Sequence, residues 1–96
     1  MEDNQYEINI YEQIAKNIKK YRKLANMTQA VLAEMINVSH EFIRRIESPK
    51  GVKSFSLDTI WKISLALNVS ISKIMEVDPE QFKIARSHLQ DRYKQK

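Results

Sequence analysis

Four polar side chains crowd the stretch from residue 40 to 45: His40, Glu41, Arg44 and Arg45. At spacings of three and four they share one side of a helix. Together they offer two guanidinium forks, a carboxylate and an imidazole, all directional hydrogen-bonding groups. A guanidinium can donate twice to guanine O6 and N7, which makes Arg45 the first candidate for reading a base. Arg44 can reach a base or a phosphate. Glu41 can accept from a cytosine amino group or orient a neighbouring Arg, and His40 donates or accepts according to its tautomer. Covalent chemistry has no comparable set. The chain has no Cys, one Gly and two His, at positions 40 and 88. A thiolate metal site, a Cys nucleophile and a glycine-rich phosphate loop are thereby excluded, and neither an enzyme nor a metal or other cofactor is expected.

The elements that must position this set are helices. With one Gly and two Pro in 96 residues, the chain lacks the turn residues that a sandwich or barrel needs. Tyr11, Ile14, Ile18, Tyr21 and Leu24 mark an amphipathic helix over 11–25, ended by Asn26. Thr28 caps a second helix whose apolar face is Val31, Leu32 and Met35-Ile36, with Asn37 breaking the pattern. Ser39 caps a third from His40 to about Glu47, and Ser48-Pro49-Lys50-Gly51 stops it. Ser56 caps a fourth with Leu57, Ile60, Ile63 and Leu67 on one face, and Asn68 ends it. Ser70 opens a short fifth helix containing Ile71 and Ile74. Asp78-Pro79-Glu80-Gln81 starts a sixth, with Phe82, Ala85, Leu89 and Tyr93 on one face. No internal repeat and no low-complexity segment stands out. Phe42 is expected to pack against the first helix, and Trp61 in the core or at an interface.

Length and charge set the partner class. Ninety-six residues, 43% of them hydrophobic, make one globular domain. No apolar run reaches membrane-span length, and the N-terminal Met1-Glu2-Asp3-Asn4-Gln5 is unlike a secretory signal, so a cytoplasmic location is expected. The formal charge is +4 overall, yet residues 1–10 carry −3 and residues 11–50 carry +4. A basic middle suits a polyanion, because each neutralised phosphate releases condensed counterions. Three parts follow: an acidic N-terminal extension over 1–10, a helical domain over 11–77 that holds the basic stretch, and a C-terminal helix over 78–96 that can serve as a dimer seam.

The run from Gln29 to Glu47 carries a specific constraint. Two short helices crossing steeply through a tight turn need a small residue at their contact, here Ala33. They need a residue that tolerates positive φ at the turn, here Asn37. Val38 plugs that turn, while Ile43 and Ile46 anchor the third helix inside. The outward stripe is then His40, Glu41, Arg44, Arg45 and Ser48.

This stretch resembles the helix-turn-helix of the Cro/repressor family, also called the xenobiotic-response-element family of bacterial and phage regulators. The likeness rests on Thr28-Gln29, Leu32-Ala33, Val38-Ser39 and Ile46-Glu47, and extends from Ile14 to Met75. Asn37 stands where that family commonly has Gly, and the loop after Glu47 is longer than usual. The resemblance implies an all-α, five-helix lambda-repressor-like domain, here with an additional C-terminal helix. It implies double-stranded DNA as partner, a recognition helix 40–47 in the major groove, and a homodimer on a palindromic operator, most simply as a repressor. Gln29 resembles the family's phosphate-binding Gln, with Thr28, Ser39, Ser48, Lys50 and Lys53 as further backbone contacts. An ion pair between Arg22 and Glu47, holding the first helix to the third, is also implied. The rival reading is a protein-interaction module, an antitoxin or adaptor built on the same fold. Two Arg and a His on the outward stripe favour DNA over a protein partner.

Overall fold

The computed structural model describes residues 9–49 and 55–94. Among these the chain is all-α, with six helices and no strand: α1 (Ile10–Leu24), α2 (Gln29–Met35), α3 (His40–Glu47), α4 (Leu57–Leu67), α5 (Ile71–Ile74) and α6 (Pro79–Lys94). Each start has the expected chemistry. The side chains of Thr28, Ser39, Ser56 and Ser70 accept from backbone N–H groups in the first turns of α2, α3, α4 and α5. Asp78 Oδ1 accepts from Glu80 N at the head of α6. These bonds satisfy donors that have no partner inside the helix. The cap of α1 is Asn9, whose side chain takes the N–H groups of Tyr11 and Glu12, so Ile10 belongs to the helix rather than to the acidic extension.

Helix ends follow one rule at three places. Asn26, Asn37 and Asn68 have φ of 56°, 59° and 57°, in the left-handed region that Asn tolerates better than other residues bearing a Cβ. The next residue's N–H reaches back to close the last turn: Met27 to Arg22 O, Val38 to Ala33 O and Val69 to Ser64 O, at 3.1, 3.0 and 3.1 Å. Met27, Val38 and Val69 each pack against the core, as the apolar residue of such a closure does. Thr28, Ser39 or Ser70 then caps the following helix. Asn-Met-Thr, Asn-Val-Ser and Asn-Val-Ser are thus one junction used three times, a short repeat that the eye for long repeats passes over.

The core is a single cluster. Ile14, Ala15 and Ile18 of α1 meet Leu32, Ala33 and Ile36, then Ile43 and Ile46 of α3, Ile60, Ile63 and Leu67 of α4, and Ile74 of α5. Asn17 adds a polar tie that periodicity does not reveal. Buried on α1, it donates from Nδ2 to the carbonyls of Ile74 and Glu76 at 2.8 and 2.9 Å, closing the end of α5.

Several apolar residues expected inside lie outside. Leu24, Val31, Met35 and Leu57 are exposed, and Trp61 on α4 is half-exposed rather than in the core. These helices bury a stripe narrower than their apolar arc, because each touches neighbours on one side only. Phe42 is partly buried and packs against the core cluster. No residue of α6 is buried; Ile84, Ala85 and His88 are partly covered, while Phe82, Leu89 and Tyr93 stand out to solvent.

The junction makes a sharp prediction. Asn37→Ala forces an ordinary side chain into the left-handed region, at a cost of about 1 kcal/mol, so Tm should fall by roughly 4–8 °C. Asn37→Gly should leave it nearly unchanged. Thermal unfolding of both variants checks this, and an Ala variant as stable as the Gly variant refutes the account of the turn.

Candidate nucleic-acid interface

The site is built on α3, and α3 is held by charge as well as by apolar packing. Eight residues make a helix about 12 Å long, too short to be stable alone. Ile43 and Ile46 fix its inner face. Glu47, at its last position, is buried against Arg22 of α1, the two side chains 2% and 9% exposed. Arg22 Nε donates to Glu47 Oε2 at 2.7 Å and Nη2 to Oε1 at 2.8 Å, the two-pronged geometry that a planar fork allows. Its remaining arm, Nη1, donates to Met27 O at 2.7 Å in the turn before α2. The hydrogen bonds to the Glu47 carboxylate, aided by its charge, raise the Arg22 pKa, against burial that works the other way.

Gln29 joins this pair. Its Nε2 donates to Glu47 Oε1 at 3.0 Å, and its Oε1 lies 3.3 Å from His40 Nε2. Arg22, Glu47, Gln29 and His40 thus form one chain of contacts through α1, α3 and α2. The sequence suggests Arg22 with Glu47, but the place of Gln29 between Glu47 and His40 escapes it. Residues 29, 40 and 47 share no period that would bring an amide to a carboxylate and a ring.

The opposite side of α3 faces solvent. His40, Glu41, Arg44 and Arg45 are all exposed, and Ser48 is half-buried. Glu41 Oε1 pairs with Arg44 Nη2 one turn on, both side chains more than half exposed. The hydrogen bond from Arg44, and then its charge, hold the Glu41 carboxyl below the usual carboxylate range. Of the two roles open to Glu41, the structure thus displays the orienting one. Exposed pairs contribute little to stability because water and salt screen them; this one fixes where the guanidinium plane points.

The hydroxyl candidates Thr28 and Ser39 serve as helix caps. Thr28 Oγ1 accepts from Val31 N at 3.1 Å and Ser39 Oγ from Phe42 N at 3.0 Å. A hydroxyl that accepts a cap bond still has its own proton to donate. Lys50 and Lys53 lie outside the described residues. Among the described residues no cluster of His, Cys, Asp or Glu could hold a metal ion, and no helix is long and apolar enough to cross a membrane.

Comparison with known proteins agrees with this arrangement. Residues 18–74 match the helix-turn-helix family. The control protein C.SmaI of Serratia marcescens is 29% identical over 68 residues, spanning 71% of this chain and 79% of that protein. Among solved structures, a hypothetical transcription factor, NHTF, from Neisseria superposes with a TM-score of 0.67 at 20% identity, covering 79% of this chain and 85% of its own. The SinR protein/SinI protein complex contains a chain with a TM-score of 0.60 at 27% identity, covering 79% of this chain and 78% of that one.

Burial separates the two carboxylates of α3. Removing one partner of a buried pair leaves the other uncompensated, at about 3–5 kcal/mol. Glu47→Ala should therefore lower Tm far more than Glu41→Ala. Replacing both partners, Arg22→Met with Glu47→Leu, should recover much of the loss. Equal losses for Glu47→Ala and Glu41→Ala in thermal unfolding would refute the burial argument.

Proposed function

We propose, for a chain that belongs to the helix-turn-helix family of DNA-binding transcription regulators, that α3 enters the major groove of one operator sequence and that occupancy represses a promoter. The supporting observation is the two-sidedness of α3. Its inner side is locked by Ile43, Ile46 and the Glu47–Arg22 pair, and its outer side presents only polar groups suited to base edges. Arg45 reads guanine, while Arg44, Glu41 and His40 complete the base-facing set. Thr28, Gln29, Ser39, Ser48, Lys50 and Lys53 set register on phosphates without reading sequence. Gln29 can do so while bound to Glu47, since its amide nitrogen has a second hydrogen. The protein acts without catalysis or cofactor, in the cytoplasm.

The operator is palindromic and the protein a homodimer, with half-sites about one helical turn (~34–36 Å) apart. Support comes from the C-terminal part of the chain, where Met75 after α5 and Phe82, Leu89 and Tyr93 on α6 are exposed apolar side chains. An isolated surface helix of this kind gains stability by burying that side against a second copy.

A second reading, an antitoxin or adaptor whose main partner is another protein, is favoured by one observation. Leu57, Trp61 and Leu65 lie at four-residue spacing on α4 and are all more than half exposed. The likeness to a chain of the SinR protein/SinI protein complex points the same way.

Selection of duplexes from a random pool near physiological salt tests the first reading. The wild type should enrich a palindrome, and Arg45→Ala should lose discrimination at one symmetric position by about 1–3 kcal/mol. Weak, steeply salt-dependent binding without enrichment contradicts it and favours the protein-partner reading. Sedimentation of a chain truncated after Val77 tests the seam. Its dimer should be weaker, and one as tight as the full chain's removes α6 from the interface.

A further inference from the structure

The chain of contacts from Arg22 to His40 has a direction, and that direction bears on what α3 can read. Glu47 receives Arg22 on both oxygens and Gln29 on Oε1. An ionised carboxylate only accepts, so the end of the Gln29 amide that faces it is the NH2 group. The other end, the carbonyl oxygen Oε1, therefore faces His40 Nε2 at 3.3 Å. An amide oxygen also only accepts. The contact is a hydrogen bond only when the ring carries its proton on Nε2. A buried ion pair thus orients an amide, and the amide selects a tautomer on an exposed ring at the first position of α3.

From this we infer that His40, held as the Nε2–H tautomer by Gln29, presents Nδ1 as a hydrogen-bond acceptor and so selects a base edge bearing an exocyclic amino group. In the major groove that group is adenine N6 or cytosine N4; guanine offers only the acceptors N7 and O6 there. Gln29 acts in this as a positioning residue, in addition to any phosphate contact. The inference rests on the DNA-reading role proposed above and makes it specific at one position.

The test uses the full chain at pH 8. Long-range 15N spectra of the free protein should show His40 with its proton on Nε2; a proton on Nδ1 overturns the inference. Duplex selection with His40→Ala identifies the symmetric position whose preference depends on the ring. At that position two base analogues are compared. Removing the amino group (adenine to purine, or cytosine to 2-pyrimidinone) should weaken wild-type binding about 3- to 10-fold. Replacing purine N7 by carbon should change nothing. In Gln29→Ala the amino-group effect should shrink, because the ring is then free to turn. Sensitivity to N7 instead of the amino group overturns the proposal, as does the absence of any His40-dependent position while the Arg45-dependent one persists. An amino-group effect undiminished in Gln29→Ala removes Gln29 from the role given to it. A wild type that enriches no sequence overturns the proposal together with the reading it rests on.

Discussion

The bridge between Arg22 and Glu47 is the constraint on which the rest depends. Two charges taken out of water are costly, and they become tolerable only when geometry and further hydrogen bonds satisfy what burial removes. Here both carboxylate oxygens are occupied, and the guanidinium reaches the carbonyl of Met27 with its remaining arm. Apolar contacts alone would hold α3 near α1 while leaving it some freedom to roll. A bidentate pair at the last residue of α3 is directional, and it fixes the rotation of a helix whose outer side is the one proposed to meet a groove. Gln29 extends the same constraint to α2, so the two helices of the motif and the one beneath them share one polar anchor.

The second constraint is the brevity of the helices. α2, α3 and α5 have seven, eight and four residues, lengths at which helix nucleation outweighs propagation in water. Their order is therefore imposed from the ends and from one side. The left-handed Asn, the apolar residue after it and the Ser or Thr cap do this at three junctions, turning the chain sharply within three residues. Because each junction also delivers Met27, Val38 or Val69 to the core, local chemistry and burial favour the same geometry.

What was legible in the sequence divides along this line. Caps, Asn ends and the inward placing of Ile43 and Ile46 are local signals, and the structure has them where the residues indicate. The faces of helices were less legible. Periodicity marks an apolar arc, but how much of it is covered depends on neighbours, so Leu24, Val31, Met35 and Leu57 read as core and are exposed. Polar contacts across long separations were least legible. Asn17 meets Ile74 and Glu76 nearly sixty residues away, and no pattern in the chain marks it. For His40, Glu41, Arg44 and Arg45, the exposed side of the helix was readable from spacing. The Glu41–Arg44 pairing was one of two open options, and the link from Gln29 to His40 required coordinates.

The claim that joins these features is that the outer side of α3 is the surface that meets DNA. Backbone amide chemical shifts of the isotopically labelled protein, followed during titration with its selected operator duplex, test it most directly. The account predicts large changes confined to Thr28, Gln29, the stretch from Ser39 to Ser48, Lys50 and Lys53, with α4 quiet around Trp61 and Leu65. Changes centred on Leu57, Trp61 and Leu65 while α3 stays unmoved would contradict it.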